Sequence, residues 1–119
     1  MYAPVVRSAR SRRQYRIGDR RAALLDEIVA DGGIGYEYLV AVFEPGGDAP
    51  FLLVSSERNR RHDPLRTDPG AGASHFFCFF DEQGHHNMGD SDDWGDPDLF
   101  EAEALRFLER RLGAPVEVV

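Results

Sequence analysis

The run Ser74-His75-Phe76-Phe77-Cys78-Phe79-Phe80 limits what this chain can become more than any other stretch. Read with a period of two, it puts Phe76, Cys78 and Phe80 on one face of a strand and Phe77 and Phe79 on the other, so both faces need cover and the strand belongs inside a sheet. Asp81-Glu82-Gln83-Gly84 follows as turn chemistry, with Gly84 suited to the left-handed region, and His85 to Met88 is predicted to return as a short strand.

The same alternation marks two earlier strands. From 35 to 43, Tyr36, Tyr38, Val40 and Val42 point one way and Glu37, Leu39, Ala41 and Phe43 the other. The Pro- and Gly-rich stretch 44–50 then turns the chain into a second strand over 51–56. Residues 57–73 have almost no apolar side chains and read as a long loop, a length usually reserved for function or disorder.

Two helices are expected. Asp19 can cap the first, over 20–31, where Ala22, Leu25 and Val29 recur at helical spacing until Gly32-Gly33 ends it. Asp96 followed by Pro97 starts the second, over 97–112, with the stripe Phe100, Ala104, Phe107, Leu108 and Leu112 and a stop at Gly113. Val116 to Val118 can add a short edge strand. The predicted fold class is therefore α+β in two layers, an antiparallel sheet of three to five strands with two helices in the order α-β-β-β-β-α.

At 119 residues the chain reads as one globular domain over 19–119. Residues 1–18 lack apolar periodicity and read as an Arg-rich, solvated arm open to disorder, whose deletion is expected to cost little stability. Met1 to Arg21 holds seven arginines against one aspartate, net +6, whereas the remainder holds seven against 20 acids, net −13. Such a field repels nucleic acid from the folded body and attracts basic partners. No apolar run approaches the roughly 20 residues of a membrane-spanning helix, and the lone Cys78 fits a reducing compartment, so a cytoplasmic location without membrane attachment is expected.

The candidate sites cluster in Asp90-Ser91-Asp92-Asp93-Trp94-Gly95-Asp96-Pro97-Asp98. The leading reading is a small acidic protein-binding module, with Trp94 as apolar anchor and Asp90, Asp92, Asp93 and Asp96 attracting a basic protein partner. Inhibitors and bacterial toxin-immunity proteins work this way, an analogy of size, charge and fold class rather than of sequence. The alternative is a calcium loop with Asp90, Asp92, Asp96, Asp98 and Glu101 at EF-hand spacing, although Trp94 stands where an oxygen ligand is needed.

A transition-metal site among His75, His85 and His86 meets the objection that adjacent strand residues face opposite ways. Cys78, flanked by Phe pairs, reads as core rather than as a nucleophile. A small enzyme with a site around His62 and Asp63 in the 57–73 loop is the third reading. No motif fixes a reaction, so no catalytic residue and no cofactor are assigned.

Overall fold

The computed structural model describes residues 4–61 and 72–119, and His62 and Asp63 lie outside them. Seven strands form one sheet: β1 (Val6–Ile17), β2 (Arg20–Ala30), β3 (Tyr36–Phe43), β4 (Leu52–Arg58), β5 (His75–Asp81), β6 (Gly84–Asp90) and β7 (Val116–Val118). Their order is β6-β5-β4-β3-β2-β1-β7, every neighbouring pair antiparallel. After β6 a single 3-10 turn (Asp92–Gly95) leads into the helix α1 (Pro97–Leu112). Because β6 and β7 are opposite edges, α1 carries the chain across one face. At 1.5 Å per residue its 16 residues span about 24 Å, close to the roughly 29 Å between the outer strands of a seven-stranded sheet.

The expected two-helix, three-to-five-stranded arrangement is corrected, among the described residues, to one α-helix and seven strands. The predicted helix over 20–31 is β2, and Val6–Ile17 of the Arg-rich stretch expected as a solvated arm enters the sheet as β1. Gly18, at φ 65°, and Asp19 form a two-residue turn between Ile17 and Arg20, so Asp19 closes a hairpin rather than capping a helix. Once paired, β2 buries alternate residues Ala22, Leu24 and Asp26. Its adjacent apolar pairs Leu24-Leu25 and Ile28-Val29 suit either period, and pairing along both edges of β2 outweighs the marginal stability of a 12-residue helix. The arginines of β1 find acids: Arg7 pairs with Asp31, Arg10 with Asp26 and Arg13 with Glu101.

On the helix side, Tyr15, Ile17, Leu24, Val40, Val42, Leu52, Val54, Phe77 and Phe79 pack against Phe100, Ala104, Phe107 and Leu108 of α1. The opposite face carries a smaller cluster of Tyr36, Leu39, Ala41, Leu53 and Phe80. Its cover is the far half of the β1–β2 ribbon. β2 pairs with β3 only as far as Leu25–Leu39. Beyond that point register shifts interrupt the ribbon, and Glu27 takes φ 50°, the kind of bulge that bends a strand. The ribbon then lays Leu25, Ile28 and Ala30 against the smaller cluster.

Candidate functional site

The acidic tract begins where β6 ends. Met88 is the extra residue of a bulge, since Phe77 pairs with Gly89 and Cys78 with Asn87. The bulge leaves Met88 on the helix side, 57% exposed. Ser91 then caps the 3-10 turn, its Oγ accepting from Asp93 N at 3.1 Å, and Asp96 caps α1, its Oδ1 accepting from Asp98 N at 2.8 Å and Leu99 N at 3.2 Å.

Trp94 rides on this turn, which is fastened to the sheet. Ser56 Oγ donates to the Trp94 carbonyl at 2.5 Å, and Tyr38 donates its hydroxyl proton to the Gly95 carbonyl at 3.2 Å. The indole is half-buried against Phe77, with ring centroids 5.2 Å apart, so it packs on the core instead of projecting as a free anchor. Between β6 and α1 this leaves a 190 Å³ cleft floored by Phe77, Trp94, Phe107 and Met88 and rimmed by Asp90, Glu103 and Arg110. Of the tract, Asp90 lines the cleft, and Asp92, Asp93, Asp96 and Asp98 are exposed along the turn and the start of α1 that follow it.

Most of these acids also hold backbone. Asp90 Oδ2 accepts from Ala73 N at 2.9 Å, and Asp92 Oδ1 accepts from Ser74 N at 2.8 Å, which ties the approach to β5 against the tract. Glu101, the twelfth position of the calcium reading, instead accepts from Arg13 at 3.0 and 3.2 Å and from the Tyr15 hydroxyl. Burial, then the hydrogen bond to Glu101, pushes the Tyr15 hydroxyl well above the ordinary range. Four of the five carboxylates named for calcium thus already accept protein hydrogen bonds: Asp90 and Asp92 from adjacent amides before β5, Asp96 from the start of α1 and Glu101 from β1.

The histidines separate. His75 Nδ1 lies 2.7 Å from Ser74 Oγ, its Nε2 is 3.5 Å from Glu37 Oε1, and its ring presses on Gly95. His86 stacks on Phe79 and meets Asp81 at 2.9 Å on the helix side. Arg111 reaches the other Asp81 oxygen at 2.6 Å, so one carboxylate joins the end of α1 to the β5–β6 hairpin. His85 turns to the opposite face, stacks on Phe80 and meets Glu57 Oε2 at 2.8 Å.

Cys78 is buried, and burial, with the nearby Glu57 charge, pushes its thiol up, which suits a core residue better than a nucleophile. Sequence reasoning missed Glu57 by ending the strand at 56. Carried one step further, the alternation Leu53, Ser55, Glu57 would have placed it on the sheet. No protein-family model, curated protein or solved structure matches the chain.

Proposed function

We propose that this chain is a small acidic protein-binding module, of the inhibitor or immunity type, which engages a basic surface of another protein through the cleft between β6 and α1. One observation carries the reading: an apolar floor of Phe77, Met88, Trp94 and Phe107 opens beside Asp90 and Glu103, with Arg110 on the same rim and exposed Asp92 and Asp93 on the adjoining turn. An apolar partner side chain fits such a floor, and Lys or Arg beside it would meet the carboxylates. Trp94 acts here as a wall that shapes the cleft. The formal net charge of −7 speeds encounter with a basic partner and works against nucleic acid. Among the described residues no helix is long and apolar enough to cross a membrane, and a reducing, cytoplasmic setting fits the single buried thiol.

Photocrosslinking tests the assignment. A crosslinker at position 88 should capture a basic protein with a yield that falls as salt rises, whereas one at Arg16, near the far edge of the sheet, should not. Equal capture from both positions, or salt-independent capture, would remove the cleft from the function.

A further inference from the structure

On the face away from α1, three consecutive strands bring together a carboxylate, a thiol and an imidazole. Glu57 of β4 is 5% exposed and Cys78 of β5 is 1% exposed. His85 of β6 has its ring open to solvent along one side. Glu57 and His85 reach toward each other over Cys78, and one donor atom from each of the three lies within 4.8 Å of the others. Among the described residues no other group of three or more His, Cys, Asp or Glu side chains is gathered so closely.

We propose that Glu57, Cys78 and His85 form a transition-metal site, with zinc the ion the donor set suits best. A thiolate, an imidazole and one carboxylate oxygen are the zinc ligand types, and calcium or magnesium would ask for oxygen alone. Charge balance supports the choice, since thiolate and carboxylate together neutralise a divalent ion in a site where an uncompensated charge would be costly.

The spacing requires little movement. Donors held 2.0–2.3 Å from a tetrahedral zinc stand about 3.3–3.7 Å from one another. The Glu57–His85 contact, now 2.8 Å, would open by less than about 1 Å to admit the ion. Outer partners are already in place. Ser55 Oγ donates to Glu57 Oε2 at 2.7 Å, and Phe80 holds the His85 ring plane from 4.5 Å away. The exposed side of His85 leaves the fourth position to water.

Cobalt(II), a spectroscopic stand-in for zinc, tests the site in the full chain. One equivalent should give a thiolate-to-cobalt charge-transfer band in the near ultraviolet and the intense visible bands of tetrahedral cobalt, both bleached by zinc. His85→Ala should weaken uptake at least tenfold, while His86→Ala, on the opposite face, should leave it unchanged. Zinc should also raise the Tm of the unmodified chain and not that of Glu57→Gln. A wild-type spectrum without the thiolate band overturns the proposal whatever the variants do, and so does a weak octahedral spectrum. A band that survives His85→Ala overturns the ligand set.

Discussion

Arg10 holds Asp26 through two guanidinium nitrogens, at 2.8 and 2.7 Å, at the point where the β1–β2 ribbon leaves the sheet. The Asp26 carboxylate is buried, and Arg12 approaches it at 3.5 Å. The Arg10 hydrogen bonds, against the opposing effect of burial, hold the Asp26 carboxyl below its usual range. A carboxyl depressed in the folded state adds stability that is fully present above its unfolded value, about 3.9. That stability is lost as pH falls through the lower folded value. Asp26→Asn should therefore cost about 1–2 kcal/mol at pH 7, a modest figure because Arg10 is largely exposed. Denaturant titrations at stepped pH should show the gap between the two proteins closing only in acid.

Deleting residues 1–14 should abolish cooperative unfolding. The cut removes most of β1, leaves β2 from Ala23 onward without its β1 partner and loosens the ribbon that covers the smaller apolar cluster. A thermal melt followed by circular dichroism checks this, and a truncated chain that melts within a few degrees of the intact one would show that β1 is dispensable.

Phe77→Ala should cost about 3–5 kcal/mol. The ring touches Trp94, Phe100 and Phe107 at centroid distances of 5.2, 5.8 and 6.3 Å, so its loss opens a void under both the helix and the cleft. Trp94 emission should move to the red in the same variant, and an unshifted spectrum would mean that the indole rests elsewhere.

Gly95 has no unusual φ, yet a Cβ added there would stand 2.8 Å from His75 Cε1. Gly95→Ala should cost about 1–3 kcal/mol through that collision alone. The two sites should couple: in the background of His75→Ala the same change should cost clearly less. Equal costs in both backgrounds would place the strain in the backbone.

Millimolar calcium should leave Trp94 emission and Tm unchanged, because Asp90, Asp92, Asp96 and Glu101 already accept hydrogen bonds from the protein itself. A calcium-dependent rise in Tm would restore the loop reading.

What the sequence revealed follows from how local each signal is. The strict alternation of Tyr36 to Phe43, the two-faced run at Phe76 to Phe80 and the Asp96-Pro97 start of α1 each specify an element without outside help, and β3, β5 and α1 stand where they were expected. The first hairpin is different in kind. The adjacent apolar pairs Leu24-Leu25 and Ile28-Val29 satisfy a helix as well as a strand, and the arginines of β1 bury almost nothing. Only pairing between distant residues, such as Arg10 with Asp26, decides the matter. The cleft was half legible: the acids and Trp94 stood out, whereas Met88 gains its place from a bulge and Phe107 from the path of α1. Glu57 beside Cys78 and His85 needed the register of three strands, which no single stretch contains.

Among the described residues, the outer side of β1 from Val6 to Arg13 faces no neighbouring strand, because β7 pairs only with Tyr15, Arg16 and Ile17 and Val119 N reaches no further than the Gln14 carbonyl. An open row of backbone donors and acceptors is a template on which a second chain can grow into a fibril. Arg7, Arg10, Arg12 and Arg13 line this stretch, and two of them, Arg7 and Arg12, sit at breaks in the register. Charge and kink together make the row a poor match for a copy of itself. The arginine excess at the start of the chain thus doubles as a guard against self-assembly, and replacing it with threonine and valine would remove that guard while leaving the ribbon's strand character intact.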